Sequence, residues 1–242
     1  MVNEGRASTR LGMFGWPALD EELEIYRDIE LVRLTKCPLH ICHISTRKGL
    51  DLVRAAKADG LPVTCETGPH YLTLCDMELQ DDGGFRMNPP IRSAEDRDAL
   101  VAALLDGTID CIATDHAPHS AQEKSGGLRS SLNGIVGLEC AFPVLYTQLV
   151  ESGIADLPLL LDRLCVRPRN IFRLPGGAIE EGAAADLTVI DPRRPHAIDP
   201  DGFRSMGRAT PFAGWPVTAA IAMTICGGEI VYHDLNTQED AL

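Results

Sequence analysis

Positive charge is scarce in this sequence. Lys and Arg total 22 against 35 Asp and Glu in 242 residues, a formal net charge of −13. Nucleic acid and anionic membrane surfaces attract basic patches, so both are excluded as expected partners. The N-terminal stretch Met1–Arg6 lacks the apolar core of a signal peptide. None of the eight cysteines forms a CxxC pair. Together these absences predict reduced, buried thiols in a cytoplasmic protein. Also missing are HxH, HExxH, GxSxG, a Walker loop and GxGxxG, which leaves serine hydrolases and nucleotide enzymes without support. The uncharged run from Ala209 to Gly228 contains Pro211, Pro216 and three glycines. It is expected to be loop plus buried strand rather than a membrane span.

What is present is ordinary for a globular protein: 45% hydrophobic and 24% charged residues. Leu19, Leu23, Tyr26 and Ile29 recur at helical spacing after Pro17, predicting a helix that ends near Lys36 with those residues on its buried face. Strands are predicted over 38–44, 61–65 and 109–114. Helices are predicted over 48–58, capped by Ser45-Thr46, and after Ser93, closed by Gly107. Residues 115–133 read as one long loop, and 134–151 as a helix kinked near Pro143. A βα alternation of this kind implies a parallel sheet, hence an α/β fold. Beyond residue 175 helical period fades, and strands over 185–190 and 221–225 suggest a small β-rich domain at 176–242. Three strands cannot close a barrel, which takes eight, so residues 1–175 read as a piece of something larger.

Ligands of parallel βα folds bind at the carboxyl ends of the strands. Three polar clusters fall there: His43, Glu66–His70, and Asp115–His119. Neutral imidazole is a common metal ligand, although His43 taken alone is better explained as a hydrogen-bonded core residue. Asp115 ends an apolar strand, where a carboxylate needs water, a donor or a cation. A metal would supply the charge, and Asp115 could then accept a proton from activated water. A loop-bracing aspartate fits Asp115 equally. His119 could grip a substrate carboxylate, and the rigid Pro89-Pro90 could fix the Asn88 amide.

Five strings occur in order: HICHIST (40–46), VTCETGPHYL (63–72), MNPPIRS (87–93), ATDHAPH (113–119) and NGIVGLECAFP (133–143). Together they resemble dihydroorotases of the amidohydrolase superfamily, and GAIEEGAAADLTVIDP (177–192) resembles the small β domain of that superfamily. The resemblance implies a (β/α)8 TIM-type barrel, here represented by its C-terminal strands, with a small β-rich tail. It implies reversible ring closure of carbamoyl aspartate to dihydroorotate in pyrimidine biosynthesis, with one or two zinc ions activating a water. His43 and Asp115 match metal-binding positions, and Asp115 also matches the proton shuttle. Asn88, His119, Asn133 and Gly134 match substrate-binding positions. Asn133 stands where relatives often have Phe, so its contact is expected through the backbone. The HxH, the metal-bridging residue and the fifth-strand His of such enzymes have no counterpart here. With two matched zinc ligands where about three are used, these 242 residues are expected to be inactive alone, and open barrel edges to favour a homo-oligomer or association with another pathway enzyme. A non-catalytic scaffold subunit and another cyclic amidohydrolase, of hydantoinase or allantoinase type, stand as alternatives.

Overall fold

Residues 1–234 are described in a computed structural model of the chain. The chain forms two compact units, one of residues 1–141 and 199–213, the other of residues 142–198 and 214 onward. The boundary expected at 175 falls inside the second unit.

The first unit opens with a short helix α1 (Arg6–Leu11), which no sequence period announces. Helix α2 (Ala18–Thr35) starts at Pro17, carries Asp20 and Glu21 in its first turn, and closes at Lys36 in a left-handed conformation. Acids at that end meet the positive pole of the helix. Strand β1 (Leu39–Ile41) leads to α3 (Arg47–Ala58), whose first turn is capped by Thr46 Oγ1 accepting from Gly49 N at 3.2 Å. Strand β2 (Val63–Thr67) runs into α4 (Pro69–Thr73). Helix α5 (Ala94–Asp106) starts on the Ser93 cap, which accepts from Asp96 N at 3.1 Å, and stops at Gly107, φ 85°. Strand β3 (Cys111–Ile112) follows. The long loop after it contains two single-turn helices, α6 (Ala121–Lys124) and α7 (Gly127–Ser130).

The three strands form one parallel sheet in the order β1-β2-β3, with Ile41 beside Cys65 and Glu66 beside Cys111. The βα alternation therefore produces the α/β arrangement its period predicts. Leu50, Val53, Cys65, Leu100, Leu104 and Ile109 are buried in this unit.

Two expectations are corrected here. On α2, Ile29 is buried as expected, but Leu19, Leu23 and Tyr26 are more than half exposed, and Ile25 and Val32 are buried in their place. The helix is apolar on both sides, so its period alone does not choose a face. Glu21 chooses it: its carboxylate accepts from Ser45 N at 2.8 Å and Thr46 N at 3.0 Å, and residues 25, 29 and 32 share its side of the helix. The helix predicted over 134–151 begins only at Ala141. Residues 134–140 run irregularly beside the end of β3, with Ala117 N donating to Ile135 O at 2.9 Å. A Cβ at Gly137 would lie 2.7 Å from Thr114 O, so glycine permits the close approach.

Helix α8 (Ala141–Leu145) passes into a wider π-helical turn over Tyr146–Glu151. The second unit continues with α9 (Leu157–Leu161), another wide turn, and α10 (Arg167–Phe172). Strands β4 (Leu187–Asp191), β7 (Ala220–Cys226) and β8 (Glu229–His233) form an antiparallel sheet in the order β4-β7-β8. A two-stranded ladder pairs β5 (His196–Ala197) with β6 (Pro216–Val217). The uncharged run is thus loop and strand. Among the described residues no helix is long and apolar enough to cross a membrane. All eight cysteines are free, but only Cys65, Cys111 and Cys140 are buried; Cys37, Cys42, Cys165 and Cys226 are exposed.

Candidate active site

Polar side chains converge where β1, β2 and β3 end. His43 lies two residues past β1 and Asp115 three past β3, and both have left-handed backbones, φ 58° and 48°. His43 Nε2 lies 3.6 Å from Asp115 Oδ1, and both side chains are partly open to solvent. Two ligands of one tetrahedral zinc ion, at about 2.0–2.1 Å each, sit about 3.3 Å apart, so this pair has the spacing of a shared cation. On the other side of the ring, Nδ1 is buried without a well-formed hydrogen bond, 3.3 Å from Glu66 Oε1. One imidazole and one carboxylate at this spacing make a donor pair whose chemistry fits zinc.

Glu66, one residue before the end of β2, is buried. Its second oxygen, Oε2, lies 3.2 Å from His40 Nε2. Ligating atoms of Cys42, His43 and Glu66 lie within 4.8 Å of one another, as do those of His40, Glu66 and Cys111. Burial, aided by the Glu66 and Asp115 carboxylates, pushes the Cys42 thiol up. His70 is fully enclosed, packed against Tyr71 with centroids 4.0 Å apart and the rings tilted by 57°, and neither ring nitrogen has a hydrogen-bond partner. Burial, with a smaller effect of nearby His43, pulls its pKa down to about 3. Burial and the Asp115 charge raise the Tyr71 hydroxyl well above its ordinary value, and that hydroxyl donates to Pro89 O at 2.8 Å.

A cleft of about 680 Å³ opens beside these groups, lined in part by His40, His43, Asn88, Arg92 and Asn133. Asn88 precedes a cis peptide bond to Pro89. His119 is engaged with the 133–134 loop and not with the His43–Asp115 pair: its Nε2 lies 2.9 Å from Asn133 O, and its Nδ1 lies 3.6 Å from Glu123 Oε2. Arg86 Nε donates to Asn133 Oδ1 at 3.1 Å, and Gly134 N donates to Arg86 O at 3.0 Å. Lys124 Nζ is buried beneath, donating to Gly134 O, Leu132 O and Arg86 O at 2.7, 2.8 and 3.1 Å. Burial, reinforced by Arg86, lowers its pKa to about 8.

One wall of the cleft is braced by an ion pair between buried Arg92 and partly buried Glu21. Arg92 Nη2 lies 3.4 Å from Glu21 Oε2, while Nε donates to Ser45 Oγ and Nη1 to Asn3 Oδ1 and Trp16 O, each at 3.1 Å. Sequence reasoning assigned no role to Glu66, His40, Cys42, Arg92 or Lys124. The end-of-strand position of Glu66 was a usable signal. Nothing in the polar string around Lys124 distinguishes a buried lysine from a solvated one.

The model of the Amidohydrolase family matches residues 21–231. The chain is 48% identical over 234 residues to the dihydroorotase of Geobacillus sp. (strain WCH70), covering 96% of this chain and 55% of that protein. It is 49% identical over 233 residues to the dihydroorotase of Anoxybacillus flavithermus, covering 96% and 54%. Among solved structures, the L-hydantoinase (dihydropyrimidinase) from Arthrobacter aurescens superposes with a TM-score of 0.85 at 32% identity, over 90% of this chain and 49% of that one. The chain spans about half the length of the curated relatives it matches.

Proposed function

The chain belongs to the amidohydrolase family, and from that premise we propose that it carries the C-terminal portion of a dihydroorotase. Such an enzyme opens the cyclic amide of dihydroorotate to carbamoyl aspartate and closes it again. The observation that carries this reading is the 3.6 Å approach of His43 Nε2 to Asp115 Oδ1 across the ends of β1 and β3. In it, β1, β2 and β3 are consecutive strands of a (β/α)8 barrel occupying residues 1–175, and residues 176–242 form the small β domain.

His43 and Asp115 would hold zinc, which, when bound, makes water a nucleophile near neutral pH and polarises the amide carbonyl. Asp115 would take a proton from the attacking water on a carboxylate oxygen and return it to the ring nitrogen as the C–N bond breaks. Asn88 would receive the substrate's polar groups, and His119 would reach the carboxylate side by exchanging its contact with Asn133 O or Glu123 for the substrate. The Gly134 main-chain groups are already used by Arg86 and Lys124, and Asn133 Oδ1 by Arg86. The loop's donors toward a ligand would then be the Asn133 main-chain N–H and Asn133 Nδ2, the latter 3.5 Å from Met1 Sδ.

These 242 residues hold two of about three protein ligands that catalytic zinc uses, so by themselves they would bind zinc weakly and turn over negligibly. The partner is a small-molecule substrate in the cytoplasm, and the open strand edges favour a homo-oligomer or a complex with another enzyme of the pathway. The likeness to the Arthrobacter L-hydantoinase supports a second reading, a cyclic amidohydrolase for a substrate without the dihydroorotate carboxylate. The test is a polypeptide with this chain behind an HxH-bearing segment of a dihydroorotase relative, loaded with zinc. Hydrolysis of dihydroorotate well above that of hydantoin and allantoin is expected. Preference for hydantoin overturns the dihydroorotase reading. Turnover near 1 s⁻¹ or more by the 242 residues alone overturns the claim that they are inactive.

A further inference from the structure

We propose that Glu66 is a positioning residue that fixes the tautomer of His43, held in place for that task by His40. The premise is the cation site at His43 and Asp115 proposed above.

The sheet register builds the arrangement. His40 pairs with Thr64 across β1 and β2, and Glu66 follows two residues later on the same face of β2. The His40 ring therefore lies between them: Nδ1 is 2.8 Å from Thr64 Oγ1, and Nε2 is 3.2 Å from Glu66 Oε2. The left-handed turn at His43 brings its own ring back over the free side of the carboxylate, with Nδ1 3.3 Å from Oε1. Each oxygen of a buried carboxylate thus meets one imidazole. Burying such a group without partners would be costly.

The charge of Glu66 then selects the His43 tautomer. An unprotonated Nδ1 would aim a lone pair at a carboxylate oxygen in a water-poor setting, which is repulsive. A protonated Nδ1 is attracted. The proton therefore resides on Nδ1, and the lone pair of Nε2 faces Asp115, where a cation would be shared. The Nδ1 contact is poorly aligned as it stands; a small ring rotation completes it, as metal-free sites often require. His40 prevents the carboxylate from swinging away. Metal-binding histidines are commonly oriented in this way, and loss of the orienting partner typically costs 10–100-fold in affinity.

The test begins with the unaltered chain, free of metal, labelled with nitrogen-15 in histidine. Long-range proton–nitrogen spectra report which ring nitrogen is protonated, and His43→Asn identifies the resonances. Expected is the Nδ1–H form for His43. A predominant Nε2–H form overturns the proposal without any folding concern. Next, Glu66→Gln and Glu66→Leu are titrated with zinc and with cobalt. A 10–100-fold weaker affinity is expected in both, together with a mixed His43 tautomer in the leucine variant. An unchanged tautomer overturns the proposal. So does a cobalt-thiolate absorption band in the unaltered chain, which would put Glu66 on the metal beside Cys42 or Cys111. If His43→Ala leaves zinc affinity unchanged, the cation-site reading fails, and the tautomer measurement still decides the role of Glu66.

Discussion

Lys124 Nζ donates to Gly134 O at 2.7 Å, from beneath the loop that carries Asn133 into the cleft. One buried ammonium gathers three main-chain carbonyls, and that loop in turn receives His119 and Arg86.

Replacing the lysine by methionine keeps the length and deletes the donor. Three carbonyls then lose their common partner, at a cost of about 1–3 kcal/mol for buried groups left unsatisfied. Urea unfolding of Lys124→Met should show a lower midpoint with an unchanged slope. An unaltered midpoint would mean that the loop is held by other contacts.

The same lysine gives a pH signature. Its folded pKa of about 8 lies below the ordinary 10.5. Between those values the unfolded chain binds the proton that the folded chain has released. Stability contributed by this group therefore rises as pH climbs from about 8 to 10.5. Chemical unfolding across that window should give a more positive slope in the unaltered chain than in Lys124→Met; the difference isolates the lysine from Cys65, Cys140 and Tyr71, whose raised pKa values act in the opposite direction.

Arg92→Met should be more damaging. Four contacts vanish, and the partly buried Glu21 loses its cation while keeping its donors on Ser45 and Thr46. Removing one partner of a buried pair costs about 3–5 kcal/mol. A second change, Glu21→Gln, should recover part of the loss in a thermal melt. Additive losses would show that the two side chains are not coupled.

In the HxH-completed polypeptide, Asp115→Asn should reduce turnover by about 10²–10⁴-fold, the usual size of a lost proton-transfer group. Circular dichroism should be unaltered, since the amide preserves the shape. Near-normal turnover would remove Asp115 from the chemistry.

Alone, the 242 residues should self-associate. Leu19, Leu23, Tyr26 and Leu34 on α2 are exposed, and β1 and β3 each pair on one side among the described residues. Size-exclusion chromatography should give a species larger than a monomer, reduced by Leu23→Glu with Leu34→Glu. A monomer at all concentrations would contradict this.

Much of the chain's order was legible in advance because its signals are local. Ser93 and Gly107 bracket α5, Thr46 caps α3, and the apolar strands alternate with helices. The convergence of His43 and Asp115 was legible because polar residues at strand ends are conspicuous after apolar runs. What escaped depends on distant partners. The rotation of α2 is set by Glu21 reaching Ser45 and Thr46, and the late start of α8 by Gly137 lying against Thr114. Lys124 looks solvated in sequence, because its three acceptors come from residues 86, 132 and 134.

The turns at positions 43 and 115 also limit how the chain can diverge. A positive φ is tolerated by glycine and, less readily, by asparagine, aspartate and histidine, and is punishing for branched side chains. The polar residues able to bend the chain there are nearly the same ones able to ligate or to hydrogen-bond. Substitution by drift at these two corners is thus channelled toward a handful of types, and a randomised library should return mainly that handful among folded survivors, whether or not activity is selected.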